Sequence, residues 1–431
     1  MITRRGTMSG SKAAGVSGLL LLLTLAACES LDFADPNSPV IESATIQSLI
    51  TGAEAGMRID RDIFLAELSV VGREAYYFEP ADPRYTGELL RDEVDPGGFL
   101  LTRFWSAHYN VIKNCNIILE KAAEQLSGQD KAGVDGFAQT IIAYQLLLNL
   151  NALNENGIKL DFSGDLEVPF ATKAASFAAI EDYLNDGFTD LGNAGNSFAF
   201  IVSEGFDGFN TPATFAEFNR ALAARVAIYQ SEWSAALTAL GISFIDSSAD
   251  LDLGVYNVYS TAANDLDNGV YENPDASFIK WMGHPDFETD AESGDTRYSS
   301  KVKIRSESTT FDDLTSNLGL TWLSSSTDPT PIIRNEELIL LRAEANTGLA
   351  NYSLAQADIN VIRAAAGLGS VTLDATNALD QVLHEKRYSL FLEGHRWVDM
   401  RRYNKLGELP LDRDGDVMII SFPRPETEVP G

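Results

Sequence analysis

The sequence predicts a mostly α-helical protein that carries one loop-rich insertion with a few short strands. Three observations support this prediction. Apolar residues recur with helical spacing in segments 104–126, 136–153, 215–240 and 335–368. Residues 246–331 lack this spacing and are rich in Asp, Asn, Gly, Ser and aromatic residues. The hydrophobic content of 45% is ample for a packed core and excludes a disordered chain.

The chain is strongly acidic, with 431 residues and a formal net charge of −30. Such a surface repels phosphate backbones, so we expect no nucleic-acid partner. Cations, neutral sugars and peptides are more compatible partners for an acidic surface. A negative charge that serves only to keep the protein soluble is an equally good explanation.

Residues 1–27 have the organisation of a lipoprotein signal peptide. A basic start precedes an apolar run that is shorter than the ~20 residues of a membrane-spanning helix. The run ends in LAAC, which resembles a bacterial lipobox and places its cysteine at Cys28. We therefore expect cleavage before Cys28, lipid attachment to its thiol, and one mature binding domain of residues 28–431 anchored to a membrane.

Residues 31–245 form the predicted N-terminal helical part of this domain. Segment 136–153 is so apolar that we expect it to be buried on most sides. In segment 215–240 the apolar residues follow one helix face, pause at residues 230–232, and resume after Trp233. This pattern predicts two helices joined by a short turn.

Residues 332–431 contain a second predicted helix pair, followed by a charged helix. The pair spans 335–368, with a break at residues 348–351 and Gly367 as its C-cap. Together with segment 215–240 it resembles tetratricopeptide repeats, although neither unit has the full repeat signature. Because such repeats bury their faces against neighbours, we expect a right-handed scaffold of stacked helix pairs.

Two aromatic-rich segments, 76–99 and the insertion 246–331, are the predicted binding regions. Long loops on an ordered scaffold commonly carry binding residues. Sugar rings stack on aromatic faces while polar side chains bond their hydroxyls, although large aromatic residues are more often core. Within the insertion, YSSKVKI (298–304) is a predicted strand. The predicted ligand-binding residues are Tyr76, Tyr77, Tyr85, Tyr271, Trp281, Asp286, Arg297 and Trp322.

Motifs of common catalytic and metal sites are absent from the sequence. We find no HExxH, CxxC, GxSxG or Walker A pattern. Asp412, Asp414 and Asp416 match the first ligands of a calcium loop, but the turn glycine and the final glutamate are out of place. We therefore predict no metal, no cofactor and no catalytic residue. The 62 acidic residues still leave a pair of catalytic carboxylates open.

The stretch LFLEGHRWVDMRRYNK, residues 390–405, mixes charged and apolar residues. On a helix, Glu393 and Arg396 are i, i+3 neighbours, and so are Asp399 and Arg402. Charges beside an apolar face are stable when they are paired, because burying an unpaired charge is costly. We interpret this stretch as a helix that packs against other helices, not as a catalytic cleft.

The same region resembles the SusD/RagB family of outer-membrane nutrient-binding lipoproteins. The family signature reads E-R-R-x-E-L-x-x-E-G-x-R-x-x-D-L-x-R, and residues 385–402 read EKRYSLFLEGHRWVDMRR. Lys386 and Ser389 depart from it. Segments 331–345, 359–368 and the ending FPRPETEV are also similar to family segments. The matching signature residues are Glu385, Arg387, Glu393, Gly394, Arg396, Asp399 and Arg402.

The resemblance implies a helical protein that is not an enzyme and that lies on the outer face of the outer membrane. Family members capture oligosaccharides, polysaccharides or peptides and pass them to a SusC-like TonB-dependent transporter. It also implies that the signature helix is architectural and that ligand contacts come from variable loops.

Two other functions remain open at this point. One is an all-helical glycoside hydrolase or lyase, which would release reducing ends and lose activity when a carboxylate is changed to its amide. The other is a repeat-type scaffold lipoprotein for envelope assembly, which would bind proteins and ignore small ligands.

Overall fold

The computed structural model describes residues 43–429, so the predicted signal peptide and Cys28 lie outside the described residues. The helices are α1 (Ile46–Gly56), α2 (Arg61–Val71), α3 (Arg84–Arg91), α4 (Phe99–Gln125), α5 (Gly128–Leu153), α6 (Lys173–Asn193), α7 (Pro212–Tyr229), α8 (Trp233–Leu240), α9 (Asp286–Thr289), α10 (Thr296–Lys301), α11 (Asn335–Gly348), α12 (Tyr352–Ala365), α13 (Ala378–Ser389) and α14 (Arg396–Arg402). The strands are β1 (Ala75–Tyr77), β2 (Gly254–Asn257), β3 (Trp281–Gly283), β4 (Val302–Phe311), β5 (Leu314–Leu320) and β6 (Thr330–Arg334).

Long helices packed side by side form the scaffold. Helix α4 lies against α5, α5 against α6, and α6 against α7. Nearly every residue of α5 from Gly133 onward is buried, as its apolar sequence predicts. The helices predicted at 104–126 and 136–153 are confirmed, and both begin earlier than predicted.

Helices α7 and α8 form the first predicted pair. Thr211 and Thr214 make a capping box, and Pro212 lies in the first turn, where its missing N–H costs no hydrogen bond. Helix α7 ends at the predicted break, where Ser231 has φ 62° and cannot continue a right-handed helix. Helix α8 then begins at Trp233.

Helices α11 and α12 form the second predicted pair, which packs on the first. A Cβ atom at Gly348 would lie 2.4 Å from the Trp233 indole, so glycine permits this close approach of α11 to α8. Arg225 of α7 and Glu337 of α11 form a buried ion pair at 2.6 Å. The two pairs are distant in sequence but stack in space, and the mostly α fold class is confirmed.

The two predicted loop regions combine into one antiparallel sheet with the strand order β1-β3-β5-β4. Tyr76 pairs with Met282, and Tyr77 pairs with Trp281. Strands β2 and β6 form a second small sheet. The strand predicted at 298–304 is wrong in its first half, because α10 occupies Thr296–Lys301. The side chain of Asp295 accepts a hydrogen bond from the backbone of Arg297 and caps this helix.

The predicted signature helix is in fact two helices joined by a turn. Helix α13 ends at Ser389 and α14 begins at Arg396. Between them, Leu392 has φ 63° and Gly394 has φ 86°, and these left-handed conformations interrupt the helix. The predicted i, i+3 pair of Glu393 and Arg396 is therefore wrong. The pair of Asp399 and Arg402 is confirmed, with 2.7 Å between Oδ1 and Nη2.

From Ile46 onward the described residues form one compact unit. A large apolar core joins the long helices to the four-stranded sheet, and a smaller one lies among α11, α12 and α13. Within residues 43–429, no helix is both long and apolar enough to traverse a bilayer.

Candidate functional site

A hollow of ≈ 480 Å³ lies beside the β2–β6 sheet, and we call it the Trp322 hollow. Its volume is within the range of small-molecule sites. It combines aromatic faces with hydrogen-bonding groups, which is the combination that sugar recognition requires. It is lined by Asp252, Tyr256, Ser300, Lys301, Trp322, Leu323, Pro329, Pro331, Arg334 and Glu393.

The apolar wall of the hollow depends on the pairing of β2 with β6. Tyr256 lies opposite Pro331, just after a register shift that follows Val255. Such bulges change the direction of the side chains that follow. The Tyr256 hydroxyl donates to the backbone carbonyl of Asp252. Trp322, two residues after the end of β5, is half-buried and keeps part of its ring accessible.

The floor of the hollow is an ion-paired cluster. Arg334 donates to Glu393 at 2.7 Å and to the Ser389 carbonyl at 2.8 Å, and it also pairs with Glu336. Lys301 donates to the carbonyl of Tyr388 at 2.6 Å and to that of Ser389. The turn between α13 and α14 is thereby fixed to α10 and β6, so the floor is rigid.

Burial governs the electrostatics of this floor. Burial lowers the pKa of Lys301 to about 8 and raises the pKa of Glu393 above its usual range. Burial alone would also lower the pKa of Arg334, but the carboxylates of Glu393 and Glu336 raise it well above its usual value. Arg334 therefore stays charged and holds Glu393 in place.

Asp252 is the exposed acid at the rim. Its side chain is 79% exposed and lies 3.6 Å from Arg334, which is too far for a hydrogen bond. The hollow thus offers two aromatic residues, a fixed ion-paired floor and one exposed carboxylate that Arg334 does not hydrogen-bond. Such an arrangement can stack an apolar ring face and accept hydrogen bonds from its hydroxyls.

Of the predicted ligand-binding residues, the structure places only Trp322 in this hollow. Tyr271 is half-buried and packs against the main core. Asp286 is 40% exposed in its side chain, starts α9 and does not line the hollow. For Tyr271 and Asp286, ligand binding stays a prediction.

The other predicted aromatic residues come together, but inside the protein. The rings of Tyr77 and Tyr85 are 4.4 Å apart, and Trp281 makes an edge contact with Tyr77 at 5.9 Å. Tyr76, Tyr85 and Trp281 are each at most 7% exposed. They are part of the main apolar core, so their positions do not fit the predicted ligand contacts. Tyr77, which is half-buried, belongs to the same packing.

Arg297 also has a structural position. It pairs with Asp295 at 2.7 Å and with Glu385 at 2.6 Å, and it is 8% exposed. Its predicted contact with ligand does not fit this burial. Glu385 is a signature residue, and it also pairs with Arg363 at 2.7 Å. Arg387 joins α13 to Asp290 in the same manner.

Glu393 is the signature residue that departs from a purely architectural role, because it also lines the Trp322 hollow. Arg396 and Asp399 border only a ≈ 10 Å³ space, which is smaller than a water molecule requires. Apart from Glu393, the signature residues therefore lie in packed surroundings.

Sequence reasoning missed Tyr256, Lys301 and Arg334. The aromatic, loop-like stretch around Tyr256 was a usable signal, since it lies in the predicted insertion. Lys301 and Arg334 gave no signal, because their positions at the hollow depend on contacts with Tyr388, Ser389 and Glu393.

Across residues 43–429, no three His, Cys, Asp or Glu residues are grouped so that they could hold a metal ion. In residues 412–416, which partly match a calcium loop in sequence, Asp416 pairs with Arg413 at 2.9 Å and Asp412 contacts His284 at 3.1 Å.

The C-terminal region of the sequence is similar to a known family. Residues 319–422 match the model of the SusD family. In this region the chain is similar to the SusD family, as its signature residues predict. The match covers β6, both helices of the second pair, the signature region and Trp322. Among curated proteins, none matches this sequence.

Solved structures show that the SusD fold extends over most of the chain. A laminarin-binding SusD-like protein is 17% identical, has a TM-score of 0.65, and aligns over 89% of this chain and 96% of its own. A surface glycan-binding protein from Bacteroides thetaiotaomicron, in complex with laminarihexaose, is 14% identical with a TM-score of 0.67, over 84% and 91%. A SusD superfamily protein from Bacteroides vulgatus is 15% identical with a TM-score of 0.65, over 89% and 96%. These likenesses establish the fold.

Proposed function

We propose that this protein binds glycans or other oligomeric nutrients in the Trp322 hollow and delivers them to a TonB-dependent transporter of the outer membrane. The observation that carries the proposal is the pairing of accessible aromatic faces with polar groups in one ≈ 480 Å³ hollow. Glycan binding by two solved structures of the same fold supports it. Peptides remain a second ligand class, because the hollow also carries charged groups.

We further propose that the protein is a lipoprotein on the outer face of the outer membrane, anchored through Cys28. The LAAC sequence supports the anchor, and the similarity to the SusD family supports the transporter partner. The change Cys28→Ala should remove lipid labelling and release the protein from the membrane fraction. Retention of the variant in the membrane at unchanged yield would contradict this anchor. Co-purification of a barrel transporter with the wild-type protein tests the partner.

Isothermal titration against a panel of soluble polysaccharides, including laminarin, and peptides tests ligand binding. For a ligand that binds, Trp322→Ala should weaken affinity at least about tenfold, because one stacking face is lost. Phe278→Ala is the matched control, since Phe278 is 50% exposed in the same insertion but does not line the hollow. Equal affinities of the two variants would contradict the assignment of the hollow.

One observation favours the alternative of a glycoside hydrolase: two carboxylic acids, Asp252 and Glu393, both line the hollow. Burial raises the pKa of Glu393, as in carboxylic acids that donate protons in catalysis. We favour binding because Arg334 already holds Glu393 at 2.7 Å. Release of reducing ends by the wild-type protein, lost in Glu393→Gln, would instead establish an enzyme.

A further inference from the structure

A groove of ≈ 520 Å³ lies beside the C-terminal segment 417–421, and we call it the Ile420 groove. Segment 417–421 lines it together with residues 91–94 at the end of α3, and Asn156 and Pro423 complete the lining. No residue of this lining also borders the Trp322 hollow. The groove is therefore a separate place on the molecule.

Hydrogen bonds hold segment 417–421 to the body of the protein through alternate residues. The N–H of Val417 donates to the carbonyl of Leu90 at 2.7 Å. The carbonyl of Ile419 accepts from the Trp397 indole at 2.8 Å. Because the segment contains no helix, turn or bend, its residues follow the groove without folding back.

Other peptide groups of this segment are free. Among the described residues, the N–H and carbonyl of Met418 and the N–H of Ile420 have no hydrogen-bond partner. The carbonyl of Ile420 accepts from Arg401 at 3.1 Å. In an extended chain the peptide groups of alternate residues point to the same side. Met418 and Ile420 therefore offer unpaired groups as the edge strand of a sheet does, and such an edge is a template for another chain.

The side chains beside these peptide groups are aliphatic and exposed. Ile420 is 60% exposed and Val417 is 40% exposed. None of the lining residues is aromatic, so the groove lacks the ring face on which a sugar stacks. Free peptide groups next to aliphatic side chains instead match an extended polypeptide, which pairs with an edge and seats its alternate side chains.

The charge of the groove favours a basic polypeptide. Arg91 is already paired with Asp312 at 3.1 Å and lies 3.6 Å from Asp416. Asp92 and Glu93 are exposed, and within the described part of the chain neither forms an ion pair. Such free carboxylates attract Lys and Arg. They repel a second copy of this chain, which carries the same acids and a formal net charge of −30.

We propose that the Ile420 groove is a docking surface for an extended segment of a partner protein that carries both aliphatic and basic side chains. Through its own peptide groups, such a segment adds a strand beside Met418 and Ile420. Its aliphatic side chains cover Val417 and Ile420. Its basic side chains pair with Asp92 and Glu93. The docking surface does not depend on the ligand of the Trp322 hollow.

Fluorescence anisotropy with the full chain and three labelled hexapeptides tests the docking. The first peptide alternates Val and Lys, the second alternates Val and Glu, and the third is the first with methylated backbone nitrogens. We expect saturable binding of the first peptide, at least about tenfold tighter than that of the other two, because only the first brings both peptide donors and cations. No saturable binding of the first peptide, or an equal affinity of its methylated form, would overturn the proposal.

Exposed variants locate the binding without disturbing the fold. Ile420→Ser removes an aliphatic contact and should weaken binding of the first peptide at least about fivefold. Leu411→Ser is the matched control, since Leu411 is 57% exposed but does not line the groove. Glu93→Gln should also weaken binding, whereas Glu204→Gln, at an exposed position outside the groove, should not. Equal affinities of Ile420→Ser and Leu411→Ser would overturn the site.

Hydrogen exchange shows whether the peptide pairs with segment 417–421. The first peptide should slow the exchange of the Met418 and Ile420 amides, and unchanged exchange of both would overturn the strand addition. Trp322→Ala should leave the affinity for this peptide unchanged. Two other results would also overturn the docking surface: a loss of affinity in Trp322→Ala, which would place the peptide in the Trp322 hollow, and a dimer of the free chain that is lost in Ile420→Ser, which would assign the groove to a second copy.

Discussion

Two regions of this protein contain charged residues of the same types. One is packed and fully ion-paired, and the other borders an open hollow. In the first, which we call the Lys386 cluster, Lys386 pairs with Glu344 at 3.0 Å and with Asp399 at 2.8 Å, and Arg402 joins the same two acids. The second is the Trp322 hollow, where Asp252 is 79% exposed beside ≈ 480 Å³ of open space.

The difference shows that residue type does not distinguish a binding site from a structural cluster. In the Lys386 cluster each charge is buried, each has an opposite charge, and the adjoining space is only ≈ 10 Å³. Burial alone would raise the pKa of Asp399, but Lys386 and Arg402 lower it to about 2. Charges that are fully paired and have no open space beside them hold helices together. Charges that are incompletely paired and border an open hollow can bind a ligand.

Removing Lys386 should have the largest effect on stability. Lys386→Met leaves two buried carboxylates short of a cation and should lower the free energy of unfolding by about 3–5 kcal/mol. Urea denaturation at pH 7 measures this. Lys405→Met is the control, because its partners Asp380 and Glu408 are exposed, and it should cost about 0.5 kcal/mol or less. Similar losses for both variants would remove the distinction between the two regions.

Glu74 shows what burial does to an acid that is not fully paired. It is buried, and its Oε2 has no hydrogen-bond partner among the described residues. Burial raises its pKa to about 7 from an ordinary 4.5. The unfolded chain therefore releases this proton first, and stability falls as pH rises from 4.5 to 7. Glu74→Gln lacks this loss and should gain up to about 3 kcal/mol over the wild type across that window.

Urea denaturation at pH 4.5 and pH 7.5 measures the gain of Glu74→Gln. The exposed Glu204→Gln is the control and should follow the wild type at both values. A difference between Glu74→Gln and the wild type that does not change with pH would show that Glu74 is already ionised in the fold.

A side chain at Gly348 should destabilise the packing of α11 against α8. Gly348→Ala places a methyl group against the Trp233 indole and should cost about 1–3 kcal/mol. Gly192→Ala is the control, because nothing lies within 4 Å of its Cβ position in α6. The control should be neutral or slightly stabilising in thermal denaturation. An unchanged stability of Gly348→Ala would contradict the close approach of α11 to α8.

Asp252→Asn should have the smallest effect on stability and a measurable effect on binding. Because its side chain is exposed, the free energy of unfolding should change by about 0.5 kcal/mol or less. Affinity for a ligand of the Trp322 hollow should fall about two- to tenfold, the value of one hydrogen bond. Titration calorimetry measures this, with the exposed Asp414→Asn as control. Unchanged affinity would exclude Asp252 from the site.

The sequence by itself determined the two long helices at 104–126 and 136–153, the two helix pairs and the breaks within those pairs, because these depend on local properties. Apolar spacing defined the helix pairs, and the turns at Ser231 and after Gly348 followed from interruptions of that spacing. The signature residues also predicted the similarity to the SusD family, whose model matches residues 319–422. Of the residues that form the candidate site, sequence reasoning found only Trp322 as a ligand contact and Glu393 as a structural residue.

Tertiary structure decided the rest, because the deciding contacts join residues far apart in the chain. Strand β1 pairs with β3 across some two hundred residues, which turned two predicted binding loops into a packed sheet and buried Tyr76 and Trp281. Because of the left-handed turn at Leu392 and Gly394, Glu393 forms its ion pair with Arg334 and not with Arg396, the predicted partner. Local sequence patterns carry no information about such partners, since the free energy of each pair depends on which distant residues the fold brings within reach.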